Sequence, residues 1–417
     1  SGTIQLTSGS TVFYDLTFND GGGTATYELQ DALDVDNDLT ITGGTLDTKS
    51  GSSFQINVGG NWSNSDAFTA NNGLVVMDAT SGSPTITSGG DQFYDIEFDD
   101  GTNGVTFTIE DALDVENDLT ITSGTLDTKS SEDNSINVAG SWINNGGSFN
   151  AQQSTVTMDA TSGSPQITSN SQAFYNLTLN DGGNGLTFEL QDALDVDNNL
   201  NISGGTLDAN SSSGYNITVG GNWTNSDIFN HQGNTVTFDA SSSSVQITSG
   251  GDAFNDVTFD DNGNSATFEL QDAMDVDGNF TITSGTVDVN STGNYQINVE
   301  GDWTNNDAFT AQSGTVYFDG TGGTISIDAG GSNFYDITFD DGGGSATFQL
   351  TSTMTIDNNF TLKNGTVTDN GNQISGNTGG TLNLQSGTSL LIGTVGTGTG
   401  FPGGASGGSF STFTLNS

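Results

Sequence analysis

Asp34 and Asp36 flank Val35, and the arrangement returns as Asp114 and Glu116, Asp195 and Asp197, and Asp275 and Asp277. Leu33 and Val35 alternate with the acids, so on a strand both carboxylates project to one side, about 7 Å apart. Paired carboxylates beside Asn37 and Asp38 offer the hard oxygen donors that calcium uses, which makes these eight acids the candidate metal ligands. The spacing is not that of an EF-hand, because no Gly follows at the sixth position and no Glu at the twelfth. In a fifth copy Ser352, Thr355 and Asp357 stand at the acid positions, so calcium binding predicts four occupied sites and an empty fifth. No motif requires any other cofactor.

Other chemistry is poorly served. Paired carboxylates can cleave glycosides, but here the acids recur along the whole chain, whereas an active site is normally one irregular place on a regular scaffold. His231 is the only histidine, and it stands where Ala70, Ala151 and Ala311 stand in sister segments. Without cysteine, and with one histidine, no Ser-His-Asp or zinc set can be assembled. The expectation is a protein that is not an enzyme, with a polysaccharide-active β-helix enzyme as a minor alternative. Triplets such as Thr40-Ile41-Thr42 and Thr120-Ile121-Thr122 suit an ice-binding face but are not evenly spaced, so ice binding is a second minor alternative. The acids Asp20, Asp100, Asp181, Asp261 and Asp341 precede Gly or Asn and read as Asx turns.

Composition narrows the partners. The chain of 417 residues carries 51 Asp and Glu against 3 Lys and Arg, a formal net charge of -48. With no arginine and no basic patch, nucleic acid is not an expected partner. An anionic membrane surface would repel it, and no apolar run is long enough for a spanning helix. The acidic, Gly-rich composition resembles that of disordered chains, but regularly placed Val, Ile, Leu and Phe argue for a packed core. The chain starts at Ser1 with no leader, which suggests a processed form or a fragment.

The elements that position the acids come from an internal repeat. Phe13-Tyr14-Asp15-Leu16 returns from Phe93, Phe174, Phe254 and Phe334, and Trp62 returns as Trp142, Trp223 and Trp303, at steps of 80 or 81 residues. Inside a unit the period is two, as in Leu39-Thr40-Ile41-Thr42, and Gly, Asn and Asp clusters separate the strands. The predicted fold is all-β, a parallel β-helix (β-solenoid) of five units of about 80 residues, with about 20 residues per rung and four rungs per unit. It should run continuously through residues 1–370, with units starting near 13, 93, 174, 254 and 334, followed by a Gly-rich, divergent segment 371–417 ending in a strand. Tandem sandwich domains are the runner-up and a five-bladed propeller the third reading. The Phe13 and Trp62 series are expected to fill core or corners, with a sugar-stacking platform as the alternative.

One family shows this repeat style. Gly60-Asn61-Trp62-Ser63-Asn64, then Phe68, Val75-Val76-Met77-Asp78, Thr85-Ile86-Thr87 and Phe93-Tyr94-Asp95-Ile96 resemble the β-strand-repeat surface proteins of bacteria. The similarity spans roughly residues 1–370. It implies a secreted, adhesin-like or cell-envelope solenoid at the cell surface, with a structural or adhesive role, and brings no catalytic residues.

The ends refine that role. Thr3-Ile4-Gln5-Leu6-Thr7 matches Thr324-Ile325-Ser326-Ile327-Asp328, and Phe410 to Asn416 alternates as another strand. A solenoid without capping repeats leaves strand edges open to pairing. End-to-end contact between copies would make a filament, with Thr3, Ile4 and Leu6 of one copy meeting Phe410, Phe413 and Leu415 of the next and Gly393–Gly408 as a connector. The expected function is therefore a non-enzymatic extracellular structural protein forming a filament or surface layer with itself. The alternative is an adhesin stalk or a module binding surface glycans.

Overall fold

The computed structural model describes residues 2–240, 244–393, 410 and 412–415. Every regular element among them is a β-strand, and each strand pairing is parallel. The predicted β-solenoid is the fold, in about 17 turns of roughly 23 residues. The alternation seen in the sequence explains the strands: in Leu39–Ile41 both aliphatic side chains are buried and Thr40 is half-exposed. Inward residues then stack coil upon coil, Leu16 on Leu39, Leu39 on Trp62, Trp62 on Ile86 and Ile86 on Ile109.

The chain divides into two compact units, Ser1–Asn210 and Ser211–Ser417. Within the first, each turn carries three strands, one to each of three ladders. One ladder runs from Val12–Phe13 through Leu33–Val35, Ile56–Val58, Leu74–Met77, Asp95–Phe98 and Leu119–Ile121 to Trp142–Asn144. A second holds Leu16–Phe18, Leu39–Ile41 and Trp62–Asn64. A third begins with Gly2–Leu6, Ala25–Leu29, Thr45–Asp47 and Ala67–Thr69. The second unit is built the same way, with one ladder from Ile217–Val219 through Thr235–Phe238, Asp256–Phe259, Phe280–Ile282 and Trp303–Asn305.

The expectation of four 20-residue rungs per unit is corrected. Coil steps vary from 19 residues between Ile56 and Val75 to 25 between Trp142 and Ile167. More important, eleven strands separate the start of the Phe13 copy from Phe93. Eleven is not a multiple of three, so each copy enters a different ladder. Leu33–Val35 lies on the Val12–Phe13 ladder, whereas Leu113–Val115 pairs with Ile136–Val138 in another sheet, and Val196 of the third copy bridges Phe174 in yet another. The repeat is three and two-thirds turns long.

The aromatic series fill the core. Trp62 lies 4.8 Å from Phe68 and 5.2 Å from Phe93 between ring centroids, and the triad recurs at Trp142, Phe149 and Phe174, at Trp223, Phe229 and Phe254, and at Trp303, Phe309 and Phe334. All four tryptophans are fully buried, so none of these indoles is a platform for sugar.

Candidate functional surfaces

Leu33–Val35 buries its two apolar side chains and leaves Asp34 half-exposed, with Asp36 just beyond it exposed. Asp114 and Glu116, Asp195 and Asp197, and Asp275 and Asp277 are placed alike. Because the copies enter different ladders, the three pairs of the first unit share no common face. What the pairs do meet is acid two coils further on. Burial first, then Asp34, Asp36 and Asp99, raise the carboxyl of Asp78; burial and then Asp114 raise Asp159. In the second unit burial and then Asp277 raise Asp275, and burial followed by Asp277 and Asp275 raises Glu300. Asp319 goes furthest, pushed up to about 6 by burial and then by Asp275, Glu300 and Asp277, and its Oδ1 is buried without a hydrogen-bond partner.

Sequence reasoning missed Asp78, Asp159, Glu300 and Asp319. The available signal was a step of 42 to 44 residues, as from Asp36 to Asp78 and from Asp275 to Asp319, which is two coils. Glu300 sharpens the fourth copy, because Gly59, Ala139 and Gly220 stand at its place elsewhere. Among the described residues no group of three or more His, Cys, Asp or Glu is arranged to hold a metal ion. A raised carboxyl opposes folding once it ionises. Its cost is absent below the unfolded value of about 3.9 and grows as pH rises towards and through the folded value. Asp319→Asn is therefore expected to raise thermal stability at pH 7–8, by on the order of 1 kcal/mol after screening of this half-exposed site. The gain should vanish by about pH 4 in thermal melts; a gain of equal size at both ends of the pH range would show that charge is not its source.

Most other acids hold turns. Asp31 accepts the backbone N–H groups of Ser8 and Gly9, each at 2.7 Å, one coil away. Asp111 does the same for Ser88 and Gly89, Asp192 for Ser169 and Asn170, and Asp272 for Ser249 and Gly250. In the fifth copy Ser352 Oγ accepts from Ala329 N. The Asx reading of the turn acids also holds. Asp20 accepts from Gly22, Gly23 and Ala25, and Asp181 from Gly183 and Leu186. The Ala25 and Leu186 N–H groups lead in holding the Asp20 and Asp181 carboxyls below their usual value, and the Ser8 N–H does so for Asp31. At Asp100 and Asp261 burial pulls upward, but hydroxyls of Ser123 and Ser284 with backbone N–H groups outweigh it. Much of the acidic excess therefore supplies acceptors to backbone donors that the sharp turns leave unpaired.

The few bases also bridge coils. Lys129 pairs with Glu110 at 2.6 Å and Glu132 at 2.9 Å, Lys363 with Asp340 at 2.8 Å, and Lys49 donates to Gln30. His231 Nδ1 accepts the Gly233 N–H, and Nε2 lies 3.3 Å from Asp277 Oδ2. A polar cleft of about 470 Å³ lies between Asn71, Asp91, Gln92, Asp114 and Glu116.

The terminal coils differ from the interior. Ile4 is 49% exposed, whereas the corresponding Val245 and Ile325 are 1% and 5% exposed. Thr3 is exposed and Leu6 half-buried. Phe13 is half-exposed, while Phe93, Phe174, Phe254 and Phe334 are buried beneath the tryptophan of the preceding coils. Val12 and Tyr14 are exposed beside it, and Leu391 and Leu415 are exposed near the other end. Two expectations change there. Phe410 is buried, close against Gly376, and so is not an open contact. Thr412–Leu415 pairs with Thr381–Leu384 of its own chain, with Phe413 opposite Leu382. The proposed connector lies, apart from Gly393, outside the described residues. Among the described residues no helix is long and apolar enough to cross a membrane.

No protein-family model, no curated protein and no solved structure matches the chain.

Proposed function

We propose that this protein is a non-enzymatic structural protein that assembles with itself end to end into an extracellular filament or surface layer, in the manner of the β-strand-repeat surface proteins of bacteria it resembles. One observation carries the reading: apolar positions that interior coils bury are exposed on the first coil, with further exposed leucines near the last. Open strand edges on a parallel solenoid add strands readily, while net charge of -48 opposes sideways association. Electron microscopy of the purified chain tests it. Filaments one subunit wide whose length grows with concentration are expected; dispersed single copies at high concentration would sink the reading.

A second reading, a glycan-binding surface module, is favoured by the polar cleft at Asp91, Gln92 and Asp114. Its test is chemical-shift change at these residues on titration with oligosaccharides, which a purely structural protein would not show. Calcium is proposed as an optional ligand of the aspartate pairs. Melting temperature is expected to rise with added calcium and with sodium chloride, because both relieve carboxylate repulsion. A rise at millimolar calcium that sodium does not reproduce at matched ionic strength supports specific sites; equal responses leave screening alone.

A further inference from the structure

We infer that Thr412–Leu415 is a removable cap, occupying the slot that Gly2–Leu6 of a second copy takes during assembly; the inference rests on the end-to-end reading above. In each interior repeat the tryptophan strand is followed, one coil on, by a strand whose isoleucine lies against the indole: Trp62 with Ile86, Trp142 with Ile167, Trp223 with Ile247 and Trp303 with Ile327. That second strand then pairs on its other side with the next coil, as Ile327 does with Leu350.

Gly2–Leu6 belongs to the second class. Leu6 pairs with Leu29 as Ile327 pairs with Leu350. On its tryptophan side Gly2–Leu6 has no partner strand among the described residues, and Ile4 and Phe13 are exposed where an interior copy is covered. Thr381–Leu384 belongs to the tryptophan class. Leu382 pairs with Phe360 as Trp303 pairs with Phe280. Its following slot is filled by Thr412–Leu415, with Phe413 opposite Leu382. The cap is four residues long, and its Leu415 is 69% exposed. Gly2–Leu6 of a second copy would bring a whole coil behind it, setting Leu6 over Leu382 and covering Ile4 and Phe13. Phe410 would leave its seat on Gly376 in the exchange.

The natural chain has no cysteine, so engineered pairs report cleanly. Asn383 and Thr414 face each other in the capped chain, and Asn383→Cys with Thr414→Cys locks the cap when oxidised. Assembly, read as sedimentable protein, is expected to fall at least tenfold on oxidation and to return in reductant. In interior register Thr304 opposes Asp328, which places Thr7 of one copy opposite Asn383 of the next. Thr7→Cys with Asn383→Cys should therefore give a covalent ladder on denaturing gels after oxidation of assembled protein. Equal assembly of the locked and reduced cap variant, or polymers of the second variant that never cross-link, would overturn the exchange while leaving end-to-end assembly standing. Absence of polymers from the unaltered chain would remove both.

Discussion

Trp303→Ala is expected to destabilise the protein by about 3–5 kcal/mol, the range for emptying a large aromatic site in a core that cannot collapse. The ring stacks on Phe280 at 4.2 Å and meets Phe309, Phe318 and Phe334 at 5.0, 6.2 and 5.4 Å. Its neighbours are held by ladders above and below, so little relaxation is available. Trp303→Phe is a sharper partner experiment. The Trp303 Nε1 is buried without an acceptor, so the smaller ring loses volume but also removes an unsatisfied donor. It should cost less than half as much as alanine. In a solenoid, stability is close to a sum of repeat and nearest-neighbour terms, so the alanine variant should also melt in two steps by calorimetry. A single transition with a loss under 1 kcal/mol would contradict this account of the aromatic triads.

Acid should unfold the chain sharply, and only after first strengthening it. Asp20, Asp31, Asp100, Asp181 and Asp261 are held below their usual value by the backbone groups and hydroxyls they accept, and Asp340 is held well below it, where Asn364, Lys363 and Tyr317 outweigh burial. Depressed groups contribute stability above the unfolded value of about 3.9 and lose it as pH falls through their folded values. Asp78, Asp159, Asp275, Glu300 and Asp319 work the other way. They oppose folding at neutral pH, and protonation relieves that opposition as pH falls. Melting temperature followed by circular dichroism should therefore rise from pH 8 to a maximum between about 4 and 6, then collapse below about 3.5. A profile that declines steadily from pH 7 would mean that the raised group contributes nothing measurable.

The sequence reveals the solenoid because each inward residue has to repeat with the coil and each sharp turn needs Gly, Asn or Asp. It also reveals the outward placement of Asp34 and Asp36, which follows from strand alternation alone. The number of turns per repeat was not legible. A strand such as Thr45–Asp47 has one inward residue, Leu46, and two of its kind can share what reads as one apolar centre. Counting such centres therefore gives too few strands. The acids that meet the aspartate pairs were hidden for a related reason: contact at two coils' distance depends on steps that vary from 19 to 25 residues. The reversed fate of Phe410, buried where exposure was expected, reflects a close approach to Gly376 that no local pattern announces.

The mismatch between eleven strands and three ladders acts like a vernier. Repeating one segment normally paints a stripe, giving a molecule with a distinguished side. Here successive copies in the first unit are turned from one another, so the same chemistry looks outward in three directions. Such a unit can meet a flat object in any orientation and present the same groups. The ends, where the winding stops, are then the only places at which direction has meaning.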